Sequence, residues 1–206
     1  MSRTVEDIML TAPVIPVLVV EDVAQARPLA EALVSGGLNV LEVTLRTTAA
    51  LDVIREMKQV PGAIVGAGTV TNPRQFEEAL QAGSEFVVSP GLTENLGHAA
   101  IGTGVPFLPG IANAGDIMRG LDMGLTHFKF FPAIASGGLP ALKALAGPFG
   151  QCRFCPTGGI TLETAPEWLA FDPVLCVGGS WMVPKGKLDY VAVAEAARQA
   201  SSLKQR

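Results

Sequence analysis

The feature that most constrains this chain is a regular alternation of strand-like and helix-like segments. Eight short apolar stretches are typical of buried strands, and amphipathic stretches with helical periodicity separate them. Strands that alternate with helices pair in parallel, because a parallel connection needs a crossover, which a helix supplies. The predicted strands cover residues 14–20, 39–45, 63–69, 86–90, 106–111, 127–132, 153–159 and 174–180.

The segments between the predicted strands carry helix signals. Residues 72–83 begin with Asn72, a favoured N-cap residue, have Pro73 in the first turn and end in glycine. This combination predicts both the start and the end of one helix. Further helices are predicted over residues 23–37, 49–60 and 189–204.

Eight βα units favour a closed (β/α)8 TIM barrel over an open doubly wound sheet. Residues 2–11 predict a short N-terminal helix that covers the N-terminal end of the barrel. No linker or change of composition divides the chain, so we expect residues 1–206 to form a single domain. In such a barrel, chemistry lies at the C-terminal ends of the strands, and phosphate sites commonly follow strands seven and eight.

Composition excludes several classes of function. The 206 residues are 49% hydrophobic and carry a net charge of −4, which permits a large core and argues against a general nucleic-acid binder. The apolar run over residues 13–20 is too short to span a bilayer, and the acidic residues before it do not fit a signal peptide. We therefore expect a cytoplasmic protein with neither a membrane nor a nucleic acid as partner.

The cysteines and histidines do not form a metal-binding pattern. Cys152 and Cys155 have C-x-x-C spacing, but a second pair of zinc ligands is missing from the sequence. An odd total of three cysteines, with Cys176, favours reduced thiols. His98 and His127 add no cluster with carboxylates, so we predict neither a metal nor any other cofactor.

Two predicted strands carry charged residues among apolar neighbours. Side chains alternate between the faces of a strand, so Glu42, Thr44 and Arg46 share one face of the second strand. Lys129 lies between Phe128 and Phe130 and points to the opposite face from them. The aliphatic faces should meet the helices, which leaves Glu42 and Lys129 directed into the barrel.

This pair has two interpretations. It is either a structural buried ion pair, which contributes little net stability, or a catalytic pair. Burial among apolar side chains favours the uncharged form of a lysine, which can attack a carbonyl, and a nearby glutamate can move the protons that Schiff-base formation requires. Arg46 likewise is either a carboxylate-binding residue or a surface arginine near the mouth.

Glycine pairs end the last two predicted strands. Gly158 and Gly159 end strand seven, and Gly178, Gly179 and Ser180 end strand eight. Because glycine lets a ligand approach the backbone closely, these positions predict a phosphate site. The sequence contains no P-loop motif, which argues against a nucleotide site of that type.

The motifs together resemble those of the 2-keto-3-deoxy-6-phosphogluconate (KDPG) aldolase and 4-hydroxy-2-oxoglutarate (KHG) aldolase family. The resemblance covers about residues 8–185 and implies a metal-independent, Schiff-base enzyme of the Entner–Doudoroff pathway that assembles as a homotrimeric (β/α)8 barrel. The motifs are LEVTLRT (41–47), VGAGTV (65–70), SPGLTE (89–94), FKFFPA (128–133), RFCPTGGI (153–160) and CVGGSW (176–181).

The resemblance also implies a role for individual residues. Lys129 would form the Schiff base, Glu42 would act as general acid and base, and Arg46 would bind the substrate carboxylate. Thr157 would control stereochemistry at the new centre. The remaining implied substrate-binding residues are Thr69 and Phe131 beside the pyruvate unit, Pro90, and Gly158, Gly159, Gly179 and Ser180 at the phosphate.

The implied reaction is cleavage of 2-dehydro-3-deoxy-6-phosphogluconate to pyruvate and glyceraldehyde 3-phosphate, together with cleavage of 4-hydroxy-2-oxoglutarate to pyruvate and glyoxylate. Three alternatives remain open at this point. One is an aldolase for the galactonate-derived epimer. The others are a phosphosugar isomerase or epimerase without a covalent step, and a non-catalytic ligand-binding barrel.

Overall fold

The computed structural model describes residues 3–184, 186 and 188–203, and every strand pair in this part of the chain is parallel. This confirms the predicted α/β fold. The strands are β1 (Val14–Leu18), β2 (Val40–Thr44), β3 (Ile64–Gly68), β4 (Val87–Val88), β5 (Phe107–Leu108), β6 (Gly110–Ile111), β7 (His127–Phe130), β8 (Arg153–Pro156) and β9 (Val177–Gly179).

The strands form a six-stranded sheet in the order β5-β4-β3-β2-β1-β9 and a three-stranded sheet in the order β6-β7-β8. The predicted strand at residues 106–111 is present but interrupted at Pro109, because proline has no N–H for the strand ladder. Its carbonyl still accepts a hydrogen bond from Lys129 N at 2.8 Å. Isolated parallel bridges, Phe154 to Val174 and Thr157 to Gly178, connect β8 with the region of β9.

The helices begin and end near their predicted positions. Asn72 caps α4, and its side chain accepts a hydrogen bond from Gln75 N at 3.0 Å. Thr4 and Asp7 form a capping box at α1. Residues 23–25 form a short 3-10 helix; the α-helices are α1 (Val5–Leu10), α2 (Ala26–Ser35), α3 (Ala50–Met57), α4 (Pro73–Gln81), α5 (Glu94–Thr103), α6 (Ala114–Asp122), α7 (Gly138–Ala146), α8 (Ala165–Leu169) and α9 (Tyr190–Ser201).

Alternation along the strands separates two buried clusters. On β2, Leu41 and Val43 belong to the large cluster that also contains the buried residues of the flanking helices. Val40 belongs to a second cluster, which we call the inner cluster, and Glu42 and Thr44 share its strand face. We call this face the inner face. The predicted division of β2 into a helix-facing aliphatic side and a polar side is therefore confirmed.

Helix α1 contributes to the inner cluster at the N-terminal ends of the strands. Its Ile8 and Met9 are 2% and 0% exposed. They pack with Val40 and Ile64, the first residues of β2 and β3. The N-terminal helix predicted from residues 2–11 thus spans Val5–Leu10 and fills this end of the inner face. In the described part of the chain, none of the helices has the length and apolarity that crossing a membrane requires.

Candidate active site

Lys129 and Glu42 form a buried ion pair on the inner face. They lie on different sheets, β7 and β2, and are 87 residues apart in sequence. Lys129 Nζ donates to Glu42 Oε1 at 2.9 Å and to Oε2 at 3.2 Å. The residues are 6% and 3% exposed. The side chains that the sequence directs to the interior are therefore in direct contact.

A glycine on β3 makes room for the carboxylate. Gly68 lies opposite Thr44 in the parallel register, and a β carbon added to it would be 2.2 Å from Glu42 Oε1. Any larger residue at this position would displace the carboxylate from the lysine. No role for Gly68 follows from the strand pattern, although its place in the VGAGTV motif was the signal that could have identified it.

The strands next to β7 complete the surroundings of the lysine. Lys129 is in register with Gly110 on β6 and Cys155 on β8. A β carbon at Gly110 would be 2.2 Å from the Pro90 carbonyl oxygen, so the SPG turn packs directly against the strand beside Lys129. The ring of Phe131 has its centroid 5.5 Å from Lys129 Nζ and covers the amine with an apolar surface.

Burial of this ion pair favours proton transfer from Lys129 to Glu42. Removing two charges from water is costly, and attraction between them offsets the cost only in good geometry. Transfer of one proton along the 2.9 Å hydrogen bond converts the charged pair into a neutral amine and a neutral carboxylic acid. The pair can therefore present a nucleophile and an adjacent proton donor in the same step.

Arg46 lies just beyond the end of β2. It is exposed, and its Nε donates to Thr44 Oγ1 at 3.2 Å. The Thr44 hydroxyl in turn donates to the Leu18 carbonyl at 2.8 Å. Among the described residues, no carboxylate lies within salt-bridge distance of Arg46. Its guanidinium is thus held near the C-terminal ends of the strands with its charge uncompensated by a protein carboxylate.

Thr69 follows Gly68 in a backbone conformation that is rare for its type. Its φ is 58°, in the left-handed region that β-branched residues disfavour. Such strain persists only where the surroundings determine the conformation, and it is concentrated at functional sites. Thr69 is half-buried next to the glycine that accommodates Glu42.

The ends of β8 and β9 expose backbone. Gly158 and Gly159 both have positive φ values, 110° and 80°, which side-chain-bearing residues rarely adopt. A β carbon at Gly158 would be 3.6 Å from the Phe131 ring, which connects this turn with the lysine site. Thr157, 6% exposed, precedes them, and a β carbon at Gly178 would be 2.2 Å from its Oγ1.

Gly179 and Ser180 lie on the neighbouring strand end. The ring of Trp181 packs so tightly on Gly179 that an added β carbon would be 1.9 Å from it. Ser180 is exposed, while Gly179 is buried. The predicted phosphate residues therefore form two adjacent strand ends, joined by the bridge from Thr157 to Gly178.

Some of the predicted site residues contact one another in the structure, and others do not. Lys129 contacts Glu42 and faces the ring of Phe131, and Gly158 also lies close to that ring. No hydrogen bond within the described residues links Lys129 or Glu42 to the other predicted residues. Those residues, at strand ends or in the turns that follow, are Arg46, Thr69, Pro90, Thr157, Gly159, Gly179 and Ser180.

The three cysteines are free and buried, as expected for reduced thiols. Cys152 belongs to the helix-facing cluster and Cys155 to the inner cluster, so the two residues of the C-x-x-C spacing point in different directions. Burial raises the pKa of the Cys176 thiol well above its usual range, and the neighbouring Cys155 adds to this. In the described part of the chain, no three metal-binding side chains come together.

His127 lies at the other end of β7 from the strand termini described above. Burial lowers the pKa of His127 below 6.5; the carboxylate of Glu6 opposes this shift, and the guanidinium of Arg153 adds to it. Its Nδ1 is 3.1 Å from Thr126 Oγ1. This environment fits a neutral, structural histidine rather than a group that takes part in chemistry with Lys129.

Known proteins share both sequence and structure with the chain. The protein-family model described as KDPG and KHG aldolase matches residues 5–198. The 2-dehydro-3-deoxy-phosphogluconate aldolase of Zymomonas mobilis subsp. mobilis is 58% identical over 202 residues, which are 98% of this chain and 97% of that protein.

Two solved structures match over nearly their full length. The 2-keto-3-deoxy-6-phosphogluconate aldolase of Zymomonas mobilis ZM4, crystallised with 3-phosphoglycerate, has a TM-score of 0.97 at 57% identity and covers 100% of this chain and 98% of its own. The KDPG aldolase of Legionella pneumophila, with pyruvate captured at low pH as a covalent carbinolamine intermediate, has a TM-score of 0.95 at 43% identity over 98% of this chain and 100% of its own.

Proposed function

The chain belongs to the KDPG and KHG aldolase family, and on this premise we propose that it is a class I aldolase. Its substrate is 2-dehydro-3-deoxy-6-phosphogluconate, which it cleaves to pyruvate and glyceraldehyde 3-phosphate. The observation that carries the proposal is the buried hydrogen bond of 2.9 Å between Lys129 Nζ and Glu42 Oε1. A covalent pyruvate intermediate in the Legionella relative supports the same chemistry.

The first stage forms the covalent bond. The neutral amine of Lys129 attacks the C2 ketone, and Glu42 moves a proton from the nitrogen to the oxygen of the carbinolamine. Glu42 then protonates the hydroxyl, which leaves as water, and an iminium remains. This stage needs a base and an acid at the same position, a requirement that one carboxyl group in contact with the amine can meet.

The second stage breaks the C3–C4 bond. Glu42, as a carboxylate and through a water molecule, takes the proton of the C4 hydroxyl. The C3–C4 electron pair moves towards the iminium nitrogen, glyceraldehyde 3-phosphate leaves and an enamine remains. Glu42 returns a proton to C3, and hydrolysis of the iminium releases pyruvate and restores the Lys129 amine.

We assign the remaining residues to binding. The guanidinium of Arg46 suits the substrate carboxylate because it has no protein carboxylate partner among the described residues. Phe131 covers the amine and is supported as the wall of the pyruvate site by its 5.5 Å separation from Nζ. Thr69 and Pro90 line the same site; Thr69 follows β3, which pairs with β2, and Pro90 follows β4, which pairs with β3.

The phosphate site and stereochemical control belong to the ends of β8 and β9. Gly158 and Gly159 have left-handed backbones without side chains, which supports close approach of a phosphate to their amides. Gly179 and Ser180 complete this site. Thr157 is buried between the lysine region and these turns, which supports its assignment to stereochemical control at C4.

A second substrate follows from the same machinery. Cleavage of 4-hydroxy-2-oxoglutarate to pyruvate and glyoxylate uses the same ketone, C4 hydroxyl and carboxylate, and it needs no phosphate site. The family description includes KHG aldolase, which supports this activity. We expect it to have the weaker kcat/KM because the phosphate contacts are lost.

We also propose that residues 1–206 form one closed eight-stranded barrel. The proposal treats β5 and β6 as halves of one strand divided by Pro109, and it relies on the Phe154–Val174 and Thr157–Gly178 bridges to join β8 to β9. A homotrimer stays a prediction from the family resemblance, and a cytoplasmic location stays a prediction from the sequence. Light scattering on the purified protein would measure the oligomeric state.

Borohydride trapping tests the covalent step. Reduction in the presence of pyruvate should attach one three-carbon adduct at Lys129, detected by intact and peptide mass spectrometry. Lys129→Ala should give no adduct, whereas Lys143→Ala should react normally. Lys143 is a matched control because its Nζ also lies near a phenylalanine, 5.8 Å from the Phe171 ring, but it is exposed. Absence of an adduct in the unaltered protein, despite turnover, would favour the non-covalent alternative.

Substrate choice is tested separately. We expect kcat/KM to be highest for the gluconate-derived substrate among this compound, its galactonate-derived epimer and 4-hydroxy-2-oxoglutarate. Loss of discrimination between the epimers in Thr157→Val would support the stereochemical role of Thr157. A higher kcat/KM for the galactonate-derived compound in the unaltered protein would reassign the substrate.

A further inference from the structure

The Thr44 hydroxyl has two hydrogen-bond partners among the described residues, and one of them is the proposed carboxylate-binding arginine. The residue is 1% exposed. Its Oγ1 donates to the Leu18 carbonyl at 2.8 Å and accepts from Arg46 Nε at 3.2 Å. The sequence analysis placed Thr44 on the polar face of β2 but gave it no role.

The direction of both hydrogen bonds is determined by chemistry. A carbonyl oxygen can only accept and a guanidinium can only donate, so the single hydroxyl proton of Thr44 must point to Leu18 and a lone pair must point to Arg46. The β1 backbone thereby orients the hydroxyl, and the hydroxyl orients the guanidinium. We propose that Thr44 is a positioning residue for the substrate carboxylate and acts through Arg46; this rests on the proposed aldolase function.

The contact also determines how Arg46 can bind. With Nε engaged by Thr44, the two terminal nitrogens remain free and present a fork to a carboxylate. Arg46 is exposed, and within the described residues Thr44 is its only hydrogen-bond partner. Without that bond the long side chain would sample many rotamers, and ordering it on substrate binding would weaken affinity.

Thr47 provides a matched comparison within the same motif. Its hydroxyl donates to the Val20 carbonyl at 2.7 Å, so it also ties the end of β2 to the end of β1. No arginine forms a hydrogen bond with the Thr47 hydroxyl in the described part of the chain. A purely structural role of the threonine-to-carbonyl bond would therefore be shared by both residues, whereas the effect on carboxylate binding should belong to Thr44 alone.

The test measures kcat and KM for cleavage, and the pyruvate concentration that gives half-maximal borohydride trapping. Thr44→Val should raise KM and the trapping midpoint about five- to tenfold, the effect of losing one ordinary hydrogen bond, with little change in kcat. Thr44→Ser should restore both values because it keeps the hydroxyl. Thr47→Val should leave both near those of the unaltered protein.

A double-mutant cycle tests whether Thr44 acts through Arg46. In an Arg46→Ala background, adding Thr44→Val should raise the trapping midpoint no further. An equal increase in both backgrounds, an unchanged midpoint in Thr44→Val, or a matching increase in Thr47→Val would overturn the inference. Thermal unfolding and the trapping yield at saturating pyruvate identify any misfolded variant, and Thr44→Ala then replaces Thr44→Val. Failure of the unaltered protein to trap pyruvate would instead overturn the aldolase proposal itself.

Discussion

The inner face changes character between the N-terminal and C-terminal ends of the strands. On β2, Val40 packs in the inner cluster with Ile8 and Met9 of α1, whereas Glu42 and Thr44 on the same face make polar contacts. One strand therefore contributes to both regions. Burial of apolar surface stabilises the first region, while the second retains a charged pair that stabilises little.

The N-terminal part of the inner face therefore serves stability, and the C-terminal part serves chemistry. Parallel barrels have their sites at the C-terminal ends, and residues at the other end serve stability. If the division is real, variants in the polar region should change catalysis without lowering stability, and variants in the apolar region should do the reverse.

The largest effect should come from replacing the ion pair by neutral side chains. Glu42→Leu combined with Lys129→Met should abolish pyruvate trapping and cleavage, because the nucleophile is absent. The free energy of unfolding should stay the same or rise by about 1–4 kcal/mol, since the desolvation cost of two charges is removed. Urea unfolding measures this, and a large loss of stability would show that the pair is structural.

Glu42→Gln alone isolates the proton-transfer role. We expect kcat to fall about 10²–10⁴-fold, the usual effect of removing a general acid or base. The lysine remains, so slow trapping of pyruvate should persist in long incubations. Single-turnover measurements would separate this from a binding defect, and an unchanged kcat would remove Glu42 from the mechanism.

Gly68→Ala should reduce activity because the added methyl group displaces the Glu42 carboxylate. The added β carbon would be 2.2 Å from Glu42 Oε1, so the carboxylate must leave its position beside Lys129, and we expect kcat to fall about 10²-fold or more. Gly102→Ala is the matched control because a β carbon there meets nothing within 4 Å. A crystal structure of Gly68→Ala with the ion pair intact would contradict this explanation.

Met9→Ala tests the apolar region. Met9 is fully buried in the inner cluster, so its truncation should lower the free energy of unfolding by about 2–5 kcal/mol and leave kcat unchanged at a temperature where the variant is folded. Leu10→Ala, at a neighbouring position that is 44% exposed, should change stability by about 0.5 kcal/mol or less. A fall in kcat equal to that of Gly68→Ala would show that the two regions are not independent.

The sequence predicted the general fold and the central pair because both follow from local patterns. Alternation alone placed Glu42 and Thr44 on one face of β2 and Lys129 opposite its phenylalanine neighbours. The interruption of the fifth strand could have been anticipated from Pro109, but the short β4 could not, because its length depends on its pairing with β3 and β5. Tertiary pairing decides such boundaries.

The contacts around Lys129 and Glu42 could not be predicted from the sequence. The 2.9 Å hydrogen bond joins residues 87 positions apart, and a periodic pattern does not report which residues meet across an interior. The fit of Gly68 to a carboxylate and the left-handed backbone of Thr69 depend on side-chain packing that only coordinates show. Thr44 is similar, since its face was predictable but its two hydrogen-bond partners were not.

Replacing His127, at the N-terminal end of β7, should produce the smallest effect. That effect is on the pH dependence of stability. Burial holds the pKa of His127 below its ordinary value of 6.5, and its Nε2 has no hydrogen-bond partner within the described residues. The groups that bear on its charge are the Glu6 carboxylate, the Arg153 guanidinium and the Thr126 hydroxyl.

The unfolded chain binds a proton at His127 as the pH falls below about 6.5, while the folded protein does not until a lower pH. The contribution of His127 to the free energy of unfolding is therefore fully present above pH 6.5. It is lost as the pH falls towards the pKa that His127 has in the folded protein. Replacing the histidine by a residue that does not titrate, His127→Gln, should flatten the fall of unfolding free energy below pH 6.5. His98→Gln, at an exposed site, should keep the original slope. Urea unfolding across pH 5–8 measures both, and equal slopes in the two variants would show that His127 does not cause the loss of stability at low pH.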